Sequence, residues 1–171
     1  MSRGFVKEED QEEAPFIPPR ADLPPGTINY VTPLGHEQLL AEKEDLETQL
    51  SSITVTDEKE RRHTVAVLTG KLNLLNERIS SARILYSKDQ PADEVRFGAR
   101  VTFRIIEGEQ MGSVREFKFV GVDEADIKQN KIAFFAPIAR VLTGKKEGDV
   151  AEFRRGANIQ KFKIIQIEYD I

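Results

Sequence analysis

Two carboxylates, Asp57 and Glu60, stand three residues apart in the run Thr56-Asp57-Glu58-Lys59-Glu60-Arg61-Arg62-His63-Thr64. On a helical turn that spacing puts both on one side. The Asp-x-x-Glu pattern ahead of an apolar heptad run is a capping box, which stabilises a helix by about 1 kcal/mol with no chemistry at all. Arg61 and Arg62 follow directly and read by default as a solvated face. The rest of the chain is poor in reactive groups. It has no cysteine, which excludes disulfides, thiol nucleophiles and Cys-ligated metals. His36 and His63 are its two histidines, too few for a His-rich zinc site, and both read as surface residues.

A tip of this kind needs two helices to hold it. Thr32-Pro33 makes a good helix start, with Thr as N-cap and Pro at the first helical position. Leu39, Leu46 and Ile53 recur every seven residues, with Leu50 between them. Thr54-Val55-Thr56 then interrupts with β-branched residues. Val65, Leu68, Leu72, Leu75, Ile79 and Ala82 form a second heptad seam, so the two helices are expected to cover each other as an antiparallel hairpin, a coiled coil, over residues 30–86. Residues 87–94 read as a linker that leaves the hairpin's angle open. Over 95–171 the period changes to alternation, at Val101/Phe103/Ile105, Phe117/Phe119 and Ile165/Ile167/Tyr169, with Gly-containing turns between. Ile132 to Phe135 and Val150 to Phe153 are shorter strand candidates, and Pro137 to Leu142 a short helix. The expected class is α+β, with an antiparallel sheet domain. Residues 1–29, acidic and proline-rich, read as a disordered tail, or as a docking peptide using Phe5, Val6, Phe16 and Ile17.

Charge narrows the function classes. The chain carries 25 basic and 29 acidic side chains, a net −4, and no segment is strongly basic. The footprint of a free duplex-DNA binder is therefore missing, and any work near nucleic acid is expected through a protein partner. No apolar run approaches the ~20 residues needed to cross a bilayer, and Met1 to Asp10 lacks the apolar core of a signal peptide. A cytoplasmic monomer is expected.

Val120-Gly-Val-Asp-Glu-Ala-Asp-Ile-Lys-Gln-Asn130, Pro137-Ile-Ala-Arg140 and Leu142-Thr-Gly-Lys-Lys-Glu-Gly-Asp-Val150 resemble the C-terminal domain of the bacterial GreA/GreB transcription elongation factors. Asn29-Tyr-Val-Thr-Pro-Leu-Gly35 resembles the opening of their coiled coil. The resemblance implies an FKBP-like C-terminal domain that docks on RNA polymerase at its secondary channel, and a coiled coil that enters it. Its tip would reach the nascent RNA 3′ end and the polymerase's own magnesium, so that the polymerase cleaves backtracked RNA. The protein itself would be no enzyme and would hold no cofactor. Asp57 and Glu60 would be the tip carboxylates, with Arg61 and Arg62 near RNA. Phe135, Ala136, Pro137, Ala139, Arg140, Asp123, Glu124 and Asp126 would contact the polymerase. Of Phe134 and Phe135, alternation buries one and turns the other outward.

Two departures qualify this resemblance. The family's Gly-Asp-x-x-Glu-Asn-Ala tip, followed by an acidic residue and Tyr, survives here only in Asp57 and Glu60. Each arm also lacks about two turns, ~10 Å of reach. A non-cleaving relative that occupies the same channel, like the regulator of nucleoside diphosphate kinase or the anti-Gre factors, is the alternative. A peptidyl-prolyl isomerase rests on the implied fold alone, and a plain coiled-coil module leaves the C-terminal resemblance unexplained.

Overall fold

Thr32 starts the first helix as its chemistry requires. In the computed structural model, which describes residues 13–170, the Thr32 hydroxyl accepts from the Gly35 amide at 2.9 Å and Pro33 takes the first helical position. Helix α1 spans Pro33–Ser51 and ends where the Ser52 amide closes on the Thr48 carbonyl. The loop that follows holds Thr54, Val55 and Thr56. Helix α2 spans Glu58–Ser81 with Asp57 as its N-cap. At 1.5 Å per residue, α2 is about 36 Å long. Buried Leu39 and Leu46 of α1 meet buried Leu68 and Leu75 of α2, flanked by Leu50, Ile53, Leu72, Ile79 and Ala82. Val65, expected in this seam, is 37% exposed instead and lines a cleft on the flank of α2 with Ile17 and Ala66.

Before and after the two helices the chain forms a short parallel pair, β1 (Tyr30–Val31) with β2 (Arg83–Ile84). This pair joins the start of α1 to the end of α2, so the helices run antiparallel. Ahead of β1, Pro25 and Gly26 form a turn closed by the Thr27 amide on the Pro24 carbonyl at 3.0 Å. Gly26 has φ of 78°, the left-handed value this turn requires at its third position.

The linker is more tightly held than its composition suggests. Val95 is fully buried, and its amide donates to the Lys145 carbonyl at 2.8 Å. The Tyr169 hydroxyl accepts from the Arg96 amide at 2.9 Å and donates to the Glu94 carbonyl. Burial holds the Tyr169 phenol above its ordinary pKa.

The remaining elements form a five-stranded sheet: β3 (Ala99–Glu107), β4 (Val114–Val120), β5 (Lys131–Ala133), β6 (Val150–Arg155) and β7 (Asn158–Tyr169), in the order β5-β4-β3-β7-β6. Helix α3 (Pro137–Leu142) packs Ala139 and Leu142 into the sheet's core beside Phe103, Phe119 and Phe162. The sheet is mixed rather than antiparallel throughout, because β5 runs parallel to β4. Between them the chain makes a crossover that includes a 3-10 turn at Ile127–Gln129 and a left-handed Asn130. Alternation along β7 also breaks. Phe162, Ile164 and Ile167 are buried while Ile165 is 43% exposed. The register against β3 slips between Thr102 and Phe103, pairing them with Gln166 and Ile164, so Ile165 is the extra residue of a bulge. No helix among the described residues is long and apolar enough to cross a membrane.

Leu75 has no exposed surface and sits midway along a seam with few other fully buried groups. Leu75→Ala is expected to cost about 2–5 kcal/mol. The check is chemical denaturation followed by helical circular dichroism.

Candidate functional site

Three places in the fold gather the chain's charged and aromatic groups: the hairpin tip, the flank of α2, and the joint between hairpin and sheet domain. At the tip, one oxygen of Asp57, Oδ1, accepts from the Lys59 amide at 2.8 Å and from the Glu60 amide at 3.1 Å. The N-cap half of the capping box is therefore formed. Glu60 lies in the first turn with its side chain exposed, as do Arg61 and His63. Arg62 approaches Glu58 one turn earlier at 3.9 Å, an exposed pair that contributes little on its own. No group of acids and histidines able to hold a metal occurs among the described residues.

Along the flank of α2 the expected disordered tail is replaced, from Glu13 onward, by a packed extended strap. Phe5 and Val6 lie outside the described residues. Ile17 sits against Gly70 so closely that a Cβ there would meet its Cδ1 at 2.0 Å. Glycine inside a helix costs about 1 kcal/mol relative to alanine, so the close approach is the physical reason for it. Phe16 beside it is 79% exposed. Nearer the tip, a cleft is lined by Glu13 and Phe16 on one side and Lys59, Arg62 and His63 on the other. Nearer the base, the Arg20 guanidinium donates to both oxygens of Glu42 on α1, at 2.8 and 3.1 Å, and its Nε donates to Asp123 at 3.0 Å. The bond to Glu42, helped by Asp123 and opposed by burial, holds Arg20 above its ordinary pKa.

At the joint, the two acids expected to face a partner turn inward. Asp123 is paired with Arg20 at 2.9 Å and with Arg78 of α2 at 3.2 Å, and its side chain is 8% exposed. Glu124 is 2% exposed, lies 3.6 Å from the Lys131 ammonium, and accepts from the Thr32 hydroxyl. Neither is available to a partner. A charge removed from water needs a paired partner, and here each acid finds its own within the chain. The Asn29–Gly35 run builds the other side of this joint. The Asn29 amide donates to the Arg78 carbonyl at 2.9 Å and to Ser81 at 3.2 Å. Tyr30 packs on Phe134 at 5.6 Å and on Phe97 at 6.0 Å between ring centroids. Gly35 leaves room for Glu124, whose Oε2 would lie 2.6 Å from an added Cβ. Gly121 does the same for the Tyr30 carbonyl, 2.5 Å from its own added Cβ.

On the sheet domain, the segment around α3 is only partly a surface. Ala139 is fully buried and is core, not contact. Ala136 is half-buried as the N-cap of α3, while Pro137 and Arg140 are exposed and line a groove with Glu152, Phe153 and Arg154. Phe134 packs against the sheet's core and on Tyr30 and Phe97, whereas Phe135 is half-buried outside that core and meets Phe134 edge-on at 5.2 Å, so the two rings divide in direction although neither is fully buried or fully exposed. Asp126 caps the 3-10 turn by accepting from the Lys128 amide at 3.0 Å. The sequence reading missed Arg20, Arg78 and Thr32 as partners of the acids. For the strap itself the available signal was Gly70 inside a helix, whose missing side chain leaves room for Ile17.

Residues 90–169 match the family model described as transcription elongation factor GreA/GreB, C-terminal. Among curated relatives, GreA of Hyphomonas neptunium is 36% identical over 102 residues, 60% of this chain and 63% of that protein. GreA of Neisseria meningitidis serogroup A is 37% identical over 103 residues, with the same coverage of 60% and 63%. The chain thus spans less than two thirds of the length of these relatives. Among solved structures, GreA factor homolog 1 of Thermus thermophilus is 19% identical over 83% of this chain and 99% of that one, with a TM-score of 0.37. A GreA/GreB factor from Nitrosomonas europaea is 19% identical over 84% and 99%, with a TM-score of 0.39.

In Gly35→Ala the Glu124 carboxylate has to retreat from the Thr32 cap. On helix propensity alone the change is favourable by about 1 kcal/mol. The expected outcome is a net loss of stability, read as a lower denaturant midpoint. A rise would show that the carboxylate is not held there.

Proposed function

We propose that this chain, whose residues 90–169 match the GreA/GreB C-terminal family model, is a Gre-type transcription elongation factor that binds RNA polymerase at its secondary channel and regulates elongation. The observation that carries this reading is the family match across the sheet domain, set on a two-helix arm that projects from it. In the proposed complex the sheet domain is the FKBP-like docking module, with Phe135, Pro137 and Arg140 at its contact surface. The hairpin is the coiled coil that enters the channel, its tip near the nascent RNA 3′ end. The protein acts as no enzyme and binds no cofactor of its own. The magnesium ion and the hydrolysis belong to the polymerase, and tip carboxylates contribute oxygen ligands or orient water. In that complex, exposed Arg61 and its neighbour Arg62 contact RNA phosphates.

One observation favours a second reading, the channel-occupying regulator that does not stimulate cleavage. Asp57 is engaged in capping α2 through two backbone amides, a role complete without any metal. Asparagine caps helices about as well as aspartate. An Asp57→Asn/Glu60→Gln double variant therefore removes both tip charges while keeping the fold.

The test uses backtracked elongation complexes of the cognate polymerase, with binding measured by competition. Binding is expected from the wild type and from the double variant alike. Cleavage stimulated by the wild type and lost in the variant identifies a working tip. Competition without cleavage, unchanged in the variant, identifies the occupant. Absence of binding by the wild type overturns the proposal.

A further inference from the structure

We propose that the N-terminal strap, residues 13–29, is a splint that sets the angle between the helical hairpin and the sheet domain, with Arg20 and Ile17 as its positioning residues. The strap touches three bodies. Through one guanidinium, Arg20 joins Glu42 on α1 to Asp123 on the domain. Arg78 on α2 reaches the same Asp123 at 3.2 Å and also donates to the strap's Ala21 carbonyl at 2.5 Å. Ile17 fills the notch that Gly70 leaves in α2. Between and beyond these anchors stand Pro15, Pro18, Pro19, Pro24 and Pro25. Their fixed φ stiffens the segment and lowers the entropy lost when it is ordered.

Leverage separates the strap from the other contacts at the joint. The Thr32–Glu124 bond and the Tyr30–Phe97–Phe134 rings lie at the hairpin's base, near any pivot. Glu42 lies about 13 Å up α1 from its first residue, and Gly70 about 16 Å from the end of α2. A brace attached that far from the pivot resists rotation that contacts at the base permit. It matters because a turn of about 10° at the base moves a tip ~36 Å away by about 6 Å. That consequence for reach rests on the polymerase reading, whereas the splint itself does not.

The test uses the full chain, which has no native cysteine. Thr56→Cys in the tip loop and Ala157→Cys in the β6–β7 turn carry spin labels for a pulsed electron–electron distance measurement. The parent is expected to show one narrow distance distribution. Arg20→Ala cuts the bridge between α1 and the domain. Gly70→Leu evicts Ile17 while improving the helix propensity of α2, so helical circular dichroism separates loss of the splint from loss of the hairpin. In each variant the distribution is expected to broaden or shift by several ångström while helicity is kept. If one variant loses helicity, the other decides. A distribution matching the parent's at parental helicity overturns the proposal. Polymerase is absent from the measurement, so its outcome is independent of the polymerase-binding result.

Discussion

Two neighbouring carboxylates, Asp123 and Glu124, are withdrawn from water at the point where the chain's two halves meet. Burial of an ionised carboxylate costs several kcal/mol unless partners replace the lost hydration. The replacements come from elsewhere in the sequence: Arg20 from the strap, Arg78 from α2, Thr32 from the start of α1, and Lys131 from β5. Because each partner sits on a different element, Asp123 is paired in full only when strap and α2 both meet the domain, and Glu124 only when the start of α1 does. Such a network is weak evidence of net stability, since apolar packing of the same volume often does as well. It is directional, however, and direction is what a projecting arm needs at its root.

The composition follows from the same arrangement. An apolar share of 39% beside a charged share of 32% is lean for a compact domain, and the hairpin shows why. Its buried side chains are Val31, Leu39, Leu46, Leu68 and Leu75. Two helices cannot enclose more. The strap adds a third layer along α2, through Ile17 at Gly70 and through Leu23 and Leu74 in the cleft they share. It supplements a small core partly with charge, which leaves hydropathy low while the segment stays ordered. A proline-rich, acidic stretch resembles a disordered one by composition. What separates them here is a partner surface already shaped to receive it.

Local chemistry was therefore legible in the sequence, and long-range pairing was not. The Thr32-Pro33 start, the Asp57 cap, the break at Thr54-Val55-Thr56, the inward Phe117 and Phe119, and the Pro137 helix each rest on residues a few positions apart. The bulge at Ile165 escaped because it depends on the register of β7 against β3, which no periodicity within β7 reveals. The parallel β5 escaped because its direction is set by the crossover before it. The burial of Asp123 and Glu124 escaped because their partners lie up to 103 positions away. Within the motifs that carried the family resemblance, the joint was nonetheless encoded. Asn29, Tyr30, Thr32 and Gly35 on one side, with Gly121, Asp123 and Glu124 on the other, each have a contact across it or beside it.

The tip is where one geometry serves two readings, and hydrogen bonding separates the roles of its acids. The first turn of a helix presents unpaired amides and the positive end of the macrodipole. That field favours a carboxylate and disfavours a cation. Asp57, with Oδ1 committed to two of those amides, answers the demand of the helix first. A carboxylate retains further lone pairs on its second oxygen, so capping restricts a ligand role for Asp57 without forbidding it. Glu60 is differently placed. It lies inside the turn with its side chain in solvent and is not the cap. In the proposed complex, chemistry at the tip therefore falls chiefly to Glu60, with Asp57 holding the helix that presents it.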